Sequence, residues 1–155
     1  MFNTKRRVAA ALIAVTAGLG GALVTAVPAT AAPAFAPVRT ANPGVGDLQA
    51  KLQLVLNTGA SRADRANELE AGEAGLPLVD QVGGVMAAAP SSFKWSVQGP
   101  VNVQGDYMTA GLQTSVDGFD PWHFDLSWRL IDGTWKLTRE AECTIAGIAM
   151  LPCNL

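Results

Sequence analysis

Leu126-Ser127-Trp128-Arg129-Leu130-Ile131-Asp132-Gly133-Thr134-Trp135-Lys136-Leu137 is the stretch on which the fold turns. Asp132-Gly133 supplies the positive φ angles of a tight two-residue hairpin turn, and the flanking residues alternate apolar and polar. With that turn, Ile131 faces Thr134, Leu130 pairs with Trp135, Trp128 with Leu137 and Leu126 with Arg139. The alternation extends backwards, so one face gathers Trp122, Phe124, Leu126, Trp128, Leu130, Trp135 and Leu137. Arg139 falls on this same face, an inward cation that must find a carboxylate, a carbonyl or a ligand. His123, Asp125, Ser127 and Arg129 fall on the opposite face.

Before this hairpin the period of two persists. Asp117-Gly118-Phe119-Asp120-Pro121 reads as a turn that follows a strand carrying Met108, Ala110, Leu112, Thr114 and Val116. Gln104-Gly105-Asp106 reads as another turn, and Phe93, Trp95 and Val97 alternate against Lys94, Ser96 and Gln98. On the N-terminal side of Pro90 the period is near four. Leu48, Leu52, Val55 and Leu56 predict a helix capped by Asp47 and stopped by Asn57-Thr58-Gly59. A second start at Ser61 runs through Ala66 and Leu69 to Gly72. A third stripe of Leu78, Val82, Val85, Met86 and Ala89 is entered through Pro77 and ended by Pro90. Gly83-Gly84 in its middle costs about 2 kcal/mol against alanine, which points to close approach of a neighbouring backbone. Helices first, then about four antiparallel strands, then a short tail, predict an α+β fold. The helices pack on one face of a curved sheet, because only one sheet face is uniformly apolar.

The N-terminus has the pattern of an export signal. Lys5-Arg6-Arg7 leads into an apolar run from Val8 to Val27, and Ala29-Thr30-Ala31 offers the small residues that a signal peptidase needs. Cleavage after Ala31 makes residues 1–31 the signal peptide and Ala32 the mature N-terminus. An uncleaved membrane anchor is the competing reading, since a span needs about 20 apolar residues. The glycines at 18, 20 and 21 favour cleavage, after which no stable span is left. Residues 32–45 hold three prolines and no apolar period and read as an Ala/Pro-rich linker, leaving 46–155 as one domain.

Cleavage leaves eight basic against thirteen acidic residues, a net charge of −5. Nucleic-acid binding needs clustered cations and is disfavoured. Cys143 and Cys153 are the only cysteines, and an isolated pair in an exported chain is expected to form a disulfide. A continuous helix would hold them about 15 Å apart, so Thr144 to Pro152 must turn back, with Gly147 and Pro152 as the residues that allow it.

The Ala/Pro-rich exported N-terminus, the strand Phe93-Lys94-Trp95-Ser96-Val97 and the hairpin Ile131-Asp132-Gly133-Thr134-Trp135-Lys136-Leu137-Thr138-Arg139-Glu140 carry a resemblance. Together they resemble the low-molecular-weight secreted antigen family of mycobacteria and related actinobacteria, over roughly Asp47 to Glu142. The resemblance implies a C-terminal domain similar to the nuclear transport factor 2-like, cystatin-like cone, and a secreted or envelope location. It brings no catalytic motif, and the cysteine pair and extended tail depart from its pattern.

Candidate chemistry is sparse. Fold relatives implied by the resemblance include isomerases, dehydratases and cyclases that use one His or Asp in the cone. His123 and Asp125, however, share the face turned away from the core, and Asp106 with Tyr107 begins a strand at a turn. One histidine and two paired cysteines leave no metal set, and no phosphate loop or Ser/His/Asp set is present. No cofactor is expected. The remaining constellation is an apolar pocket of Trp95, Trp128 and Met86, with Arg139 and Tyr107 as its polar groups, suited to a small apolar molecule or a cell-envelope component. The expectation is a non-catalytic binding module; the alternative is an enzyme of the same fold acting on a small apolar substrate.

Overall fold

The computed structural model describes residues 43–155. The signal region over 1–31, and all but the last three residues of the linker over 32–45, lie outside the described residues. Helix α1 spans Val45–Leu56 and buries Leu48, Leu52 and Val55 on one stripe. Gly44, not Asp47, occupies the cap position. Asp47 sits three residues inside, where its Oδ2 accepts from the Gly44 backbone N–H at 2.9 Å. The carboxylate serves the same orphan donors and positive helix end from within the first turn. Helix α2, Arg62–Asn67, begins at Ser61, whose hydroxyl accepts from the Asp64 N–H. It ends earlier than its apolar spacing suggests because Leu69 leaves to bridge the sheet in parallel with Leu137. The Leu137 N–H donates to Glu68 O, and the Glu70 N–H to Leu137 O, both at 2.8 Å.

A short 3₁₀ turn, Gly72–Ala74, leads into α3, Leu76–Ala88, with Pro77 in the first turn where its missing N–H leaves no bond unmade. The glycine pair in α3 divides its roles. A Cβ on Gly83 would lie 2.7 Å from the Leu56 carbonyl oxygen, so α3 crosses the end of α1 at backbone contact, whereas Gly84 faces open space.

The strands are β1 Lys94–Gln104, β2 Tyr107–Ser115, β3 Trp122–Ile131 and β4 Thr134–Leu137. They form an open antiparallel sheet in the order β1-β2-β3-β4. The last hairpin has the expected register, Ile131 with Thr134, Leu130 with Trp135 and Trp128 with Leu137. Its turn residues Asp132 and Gly133 take φ of 50° and 74°, as a type I′ turn requires. Val97, Met108, Ala110, Leu112, Leu126, Trp128, Trp135 and Leu137 are buried on the face that the helices cover. Trp122 and Leu130, read as inward, are 47% and 39% exposed near the two ends of β3.

The expected pair of Leu126 with Arg139 does not form. At Thr138 the chain leaves the sheet: its N–H donates to Ser127 O at 3.0 Å, and its hydroxyl bonds Ser127 Oγ at 2.6 Å and accepts from the Ala141 N–H at 3.1 Å. That hydroxyl caps a helix, α4, Arg139–Ile148, where a tail is expected. Arg139 is therefore the exposed first residue of α4 and not an inward cation.

Cys143 and Cys153 are bonded, their Cα atoms 5.3 Å apart. The chain turns back at Met150, which takes φ 57°, rather than at Gly147. The Leu151 N–H donates to Ala146 O and the Met150 N–H to Gly147 O, the two bonds that close a Schellman motif. At the free edge of the sheet the Val97 N–H of β1 donates to Gln49 Oε1 at 2.7 Å, and the register slips between Gln98 and Asn102, around Pro100.

The two glycines of α3 give opposite outcomes under the same substitution. Gly83→Ala is expected to destabilise by about 2 kcal/mol, overpacking the crossing and outweighing the helix-propensity gain. Gly84→Ala is expected to stabilise by about 0.5–1 kcal/mol. Urea unfolding midpoints of the two variants check both signs.

Candidate functional site

The helices leave an apolar cavity of about 450 Å³ over one end of the sheet. Leu52 and Leu56 of α1, Val82, Val85 and Met86 of α3, Trp95 of β1, Leu112 of β2, and Ile145 and Ile148 of α4 supply its main walls. Phe93 closes it where the loop after α3 enters β1, and Thr114 brings a hydroxyl to an otherwise largely apolar lining. Its walls follow from the fold: α3 is held against α1 by the Gly83 crossing, while α4 is fixed at its start by Thr138 and the disulfide ties the following tail back to its middle. A cavity of this size lies in the ordinary range for small-molecule sites.

A second cavity, also of about 450 Å³, adjoins the first through the shared residues Phe93, Thr114 and Ile148. Trp122, Phe124, Thr144, Gly147 and Met150 complete it. Trp122 stacks on Phe119 with ring centroids 6.2 Å apart, and both rings are exposed, as is Met150.

Of the residues read as a pocket, the structure brings together Trp95 and Met86 in the first cavity. Trp128 is fully buried in the core and pairs with Met108 and Leu137, toward the opposite end of the sheet. Tyr107 opens β2 seven residues before Thr114, about 23 Å away along a strand, and on the other sheet face. Arg139 is exposed at the start of α4, its N–H donating to Glu70 Oε2 at 3.1 Å. His123 and Asp125 are exposed, and Asp106 lies in the β1–β2 turn beside Gly105 at φ 64°. The wall that sequence reasoning missed is α4. Its signal was present as Ile145, Ile148 and Ala149, an i, i+3, i+4 stripe.

The charged residues inside the domain are structural. Lys51 pairs with Glu68 in full burial. Arg65 donates from Nε to Val55 O at 2.9 Å and pairs through Nη1 with Asp80 at 2.6 Å, tying α1, α2 and α3 together. Among the described residues no group of three or more His, Cys, Asp and Glu could hold a metal, and no helix is long and apolar enough to cross a membrane.

Residues 41–153 match the family model of the low molecular weight antigen MTB12, C-terminal domain. No curated protein matches the chain.

Glu142, in the first turn of α4, is fully buried. Its Oε1 accepts from the Ala71 N–H at 3.3 Å, and its Oε2 has no hydrogen-bond partner among the described residues. Burial pushes its carboxyl up to about 7, with the Ala71 N–H and Arg139 opposing and Glu70 adding to the rise. The native state thus keeps a proton that the unfolded chain releases above about 4.5. The stability that this proton supplies is complete below that pH and is lost as pH rises through about 7. Wild-type unfolding free energy is expected to fall by about 3 kcal/mol between pH 4.5 and pH 8 through this group. Glu142→Gln is expected to flatten that slope and to be the more stable form at pH 8, as read by chemical denaturation at the two pH values.

Proposed function

The chain belongs to the low molecular weight antigen MTB12 C-terminal domain family, and from that premise we propose that it is an exported, non-catalytic protein that binds a small apolar molecule. The observation that carries the reading is the first cavity, whose lining side chains are carbon and sulfur apart from the Thr114 hydroxyl and the Trp95 indole nitrogen. Such a surface gains free energy by removing an apolar ligand from water, at about 25 cal/mol per Å² covered. General acid–base chemistry needs a titratable side chain within hydrogen-bond reach of the reacting group. Among the described residues the cavity lining contains none, and His123, Asp125, Asp106 and Arg139 lie elsewhere.

Export is supported by the charged and apolar pattern of residues 1–31 and by the bonded cysteine pair, which suits an oxidising compartment. A cell-envelope component with an apolar portion fits the same cavity.

The uncharged fluorophore N-phenyl-1-naphthylamine tests the binding. The expected result is saturable fluorescence enhancement at micromolar concentrations with one probe per chain. Val85, at the rim and 43% exposed, tolerates a longer side chain, so Val85→Arg is expected to weaken the probe at least tenfold with little change in thermal midpoint. Absence of saturable binding to the wild-type chain would overturn the reading. Export is checked by the intact mass of protein recovered from culture medium, expected to correspond to Ala32–Leu155 and to rise by two hydrogens on reduction.

A further inference from the structure

We propose that the two adjoining cavities form one elongated site for a single-chain amphiphile whose headgroup carries no negative charge. The inference rests on the apolar-binding reading above and deepens it.

Three observations define the ligand. The cavities share Phe93, Thr114 and Ile148, so a chain that fills the first passes these residues into the second. A compact apolar molecule occupies one chamber, whereas an unbranched hydrocarbon uses both. The second chamber is the wetter end: Gly147 is exposed, Trp122 is half exposed, Met150 is 93% exposed, and Thr144 adds a hydroxyl. An amphiphile therefore lies with its tail against Met86 and Val82 and its head beside Trp122, an aromatic suited to an apolar–aqueous boundary.

The electrostatics at that end disfavour an anion. Asp117 and Asp120 flank Phe119 in the loop that leads to Trp122, and both are exposed. The C-terminus of α4, the negative end of its dipole, lies at Ile148 on the same chamber. The neighbouring cation, Lys94, alternates with Phe93 and Trp95 and so projects to the other sheet face, where its Nζ donates to Ser91 O at 2.7 Å. A carboxylate or phosphate head meets repulsion here, and a hydroxyl, ester or amide head does not.

Gly147 allows a clean test. It lines the second chamber alone, and a Cβ there would meet nothing within 4 Å. Gly147→Leu narrows that chamber while favouring the helix, so folding is retained. Displacement of bound N-phenyl-1-naphthylamine from the full mature chain is measured with 1-alkanols from eight to fourteen carbons, and with decanoate against 1-decanol. The wild type is expected to bind each longer alcohol about fourfold more tightly per methylene, and decanol at least tenfold more tightly than decanoate. In Gly147→Leu, octanol is expected to bind as in wild type and tetradecanol at least tenfold more weakly. Asp117→Asn with Asp120→Asn is expected to narrow the gap between decanol and decanoate. The inference is overturned if affinity stops rising beyond octanol in the wild type, if Gly147→Leu leaves tetradecanol unaffected, or if decanoate equals decanol. Those outcomes leave the apolar-binding reading standing as long as the fluorophore itself binds. If the fluorophore fails to bind the wild type, both fall together.

Discussion

The hydroxyl of Thr138 decides where the sheet stops and the last helix begins. It sits 2.6 Å from Ser127 Oγ while accepting the Ala141 N–H, so one oxygen is shared between a strand partner and a helix cap. Two backbone programmes meet at this residue. The N–H of Thr138 completes the ladder to Ser127, and the next residue is already helical. Helix α4 leaves the sheet at a fixed angle as a result, and its Ile145 and Ile148 face the cavity that α1 and α3 leave open on the opposite side. Moving that junction by one residue would turn the apolar stripe of α4 by about 100° and open the cavity to water.

The remaining order follows from satisfying polar groups around that junction. Glu70 accepts the Arg139 N–H and pairs with Arg129, while Leu137 exchanges backbone bonds with Glu68 and Glu70. The short segment after α2 thus covers the outer edge of β4. Lys51 meets Glu68 in the same region, so the buried charges lie where three helices and the sheet edge converge. Breaking such a pair from one side is costly because the remaining charge stays buried. These side chains hold the walls of the cavity without entering it.

Legibility in the sequence tracks how local the deciding interaction is. Asp132-Gly133 sets its hairpin register by backbone preference alone, and the three N-terminal helices announce themselves through apolar spacing and Pro or Ser boundaries. Gly83 was readable as a close approach, though only the structure shows that Leu56 O is what it approaches. Helix α4 shows in the sequence only as the short stripe of Ile145, Ile148 and Ala149, and its start is hidden for a specific reason. Thr138 is followed three residues later by Ala141 and not by Glu or Gln, so the capping-box signature is missing, and the alternation of Trp135 and Leu137 carries on into Arg139. Losing that helix displaced the pocket. Trp128 and Arg139 were grouped by strand register, whereas the cavity lies where α4, an element outside that register, comes back over β2. Trp95 and Met86, which line the same cavity, both lie on elements whose apolar periods are legible.

The free edge of β1 bears on how the chain behaves in a crowd. An unpaired strand edge offers donors and acceptors on which another molecule's strand can grow. Here the Val97 N–H is taken by Gln49, Pro100 has no N–H to give, and the register slip between Gln98 and Asn102 interrupts the straight run that a second strand would need. The β1 edge is thereby left with few positions on which a second strand could extend the sheet, so edge-to-edge growth is disfavoured on this side.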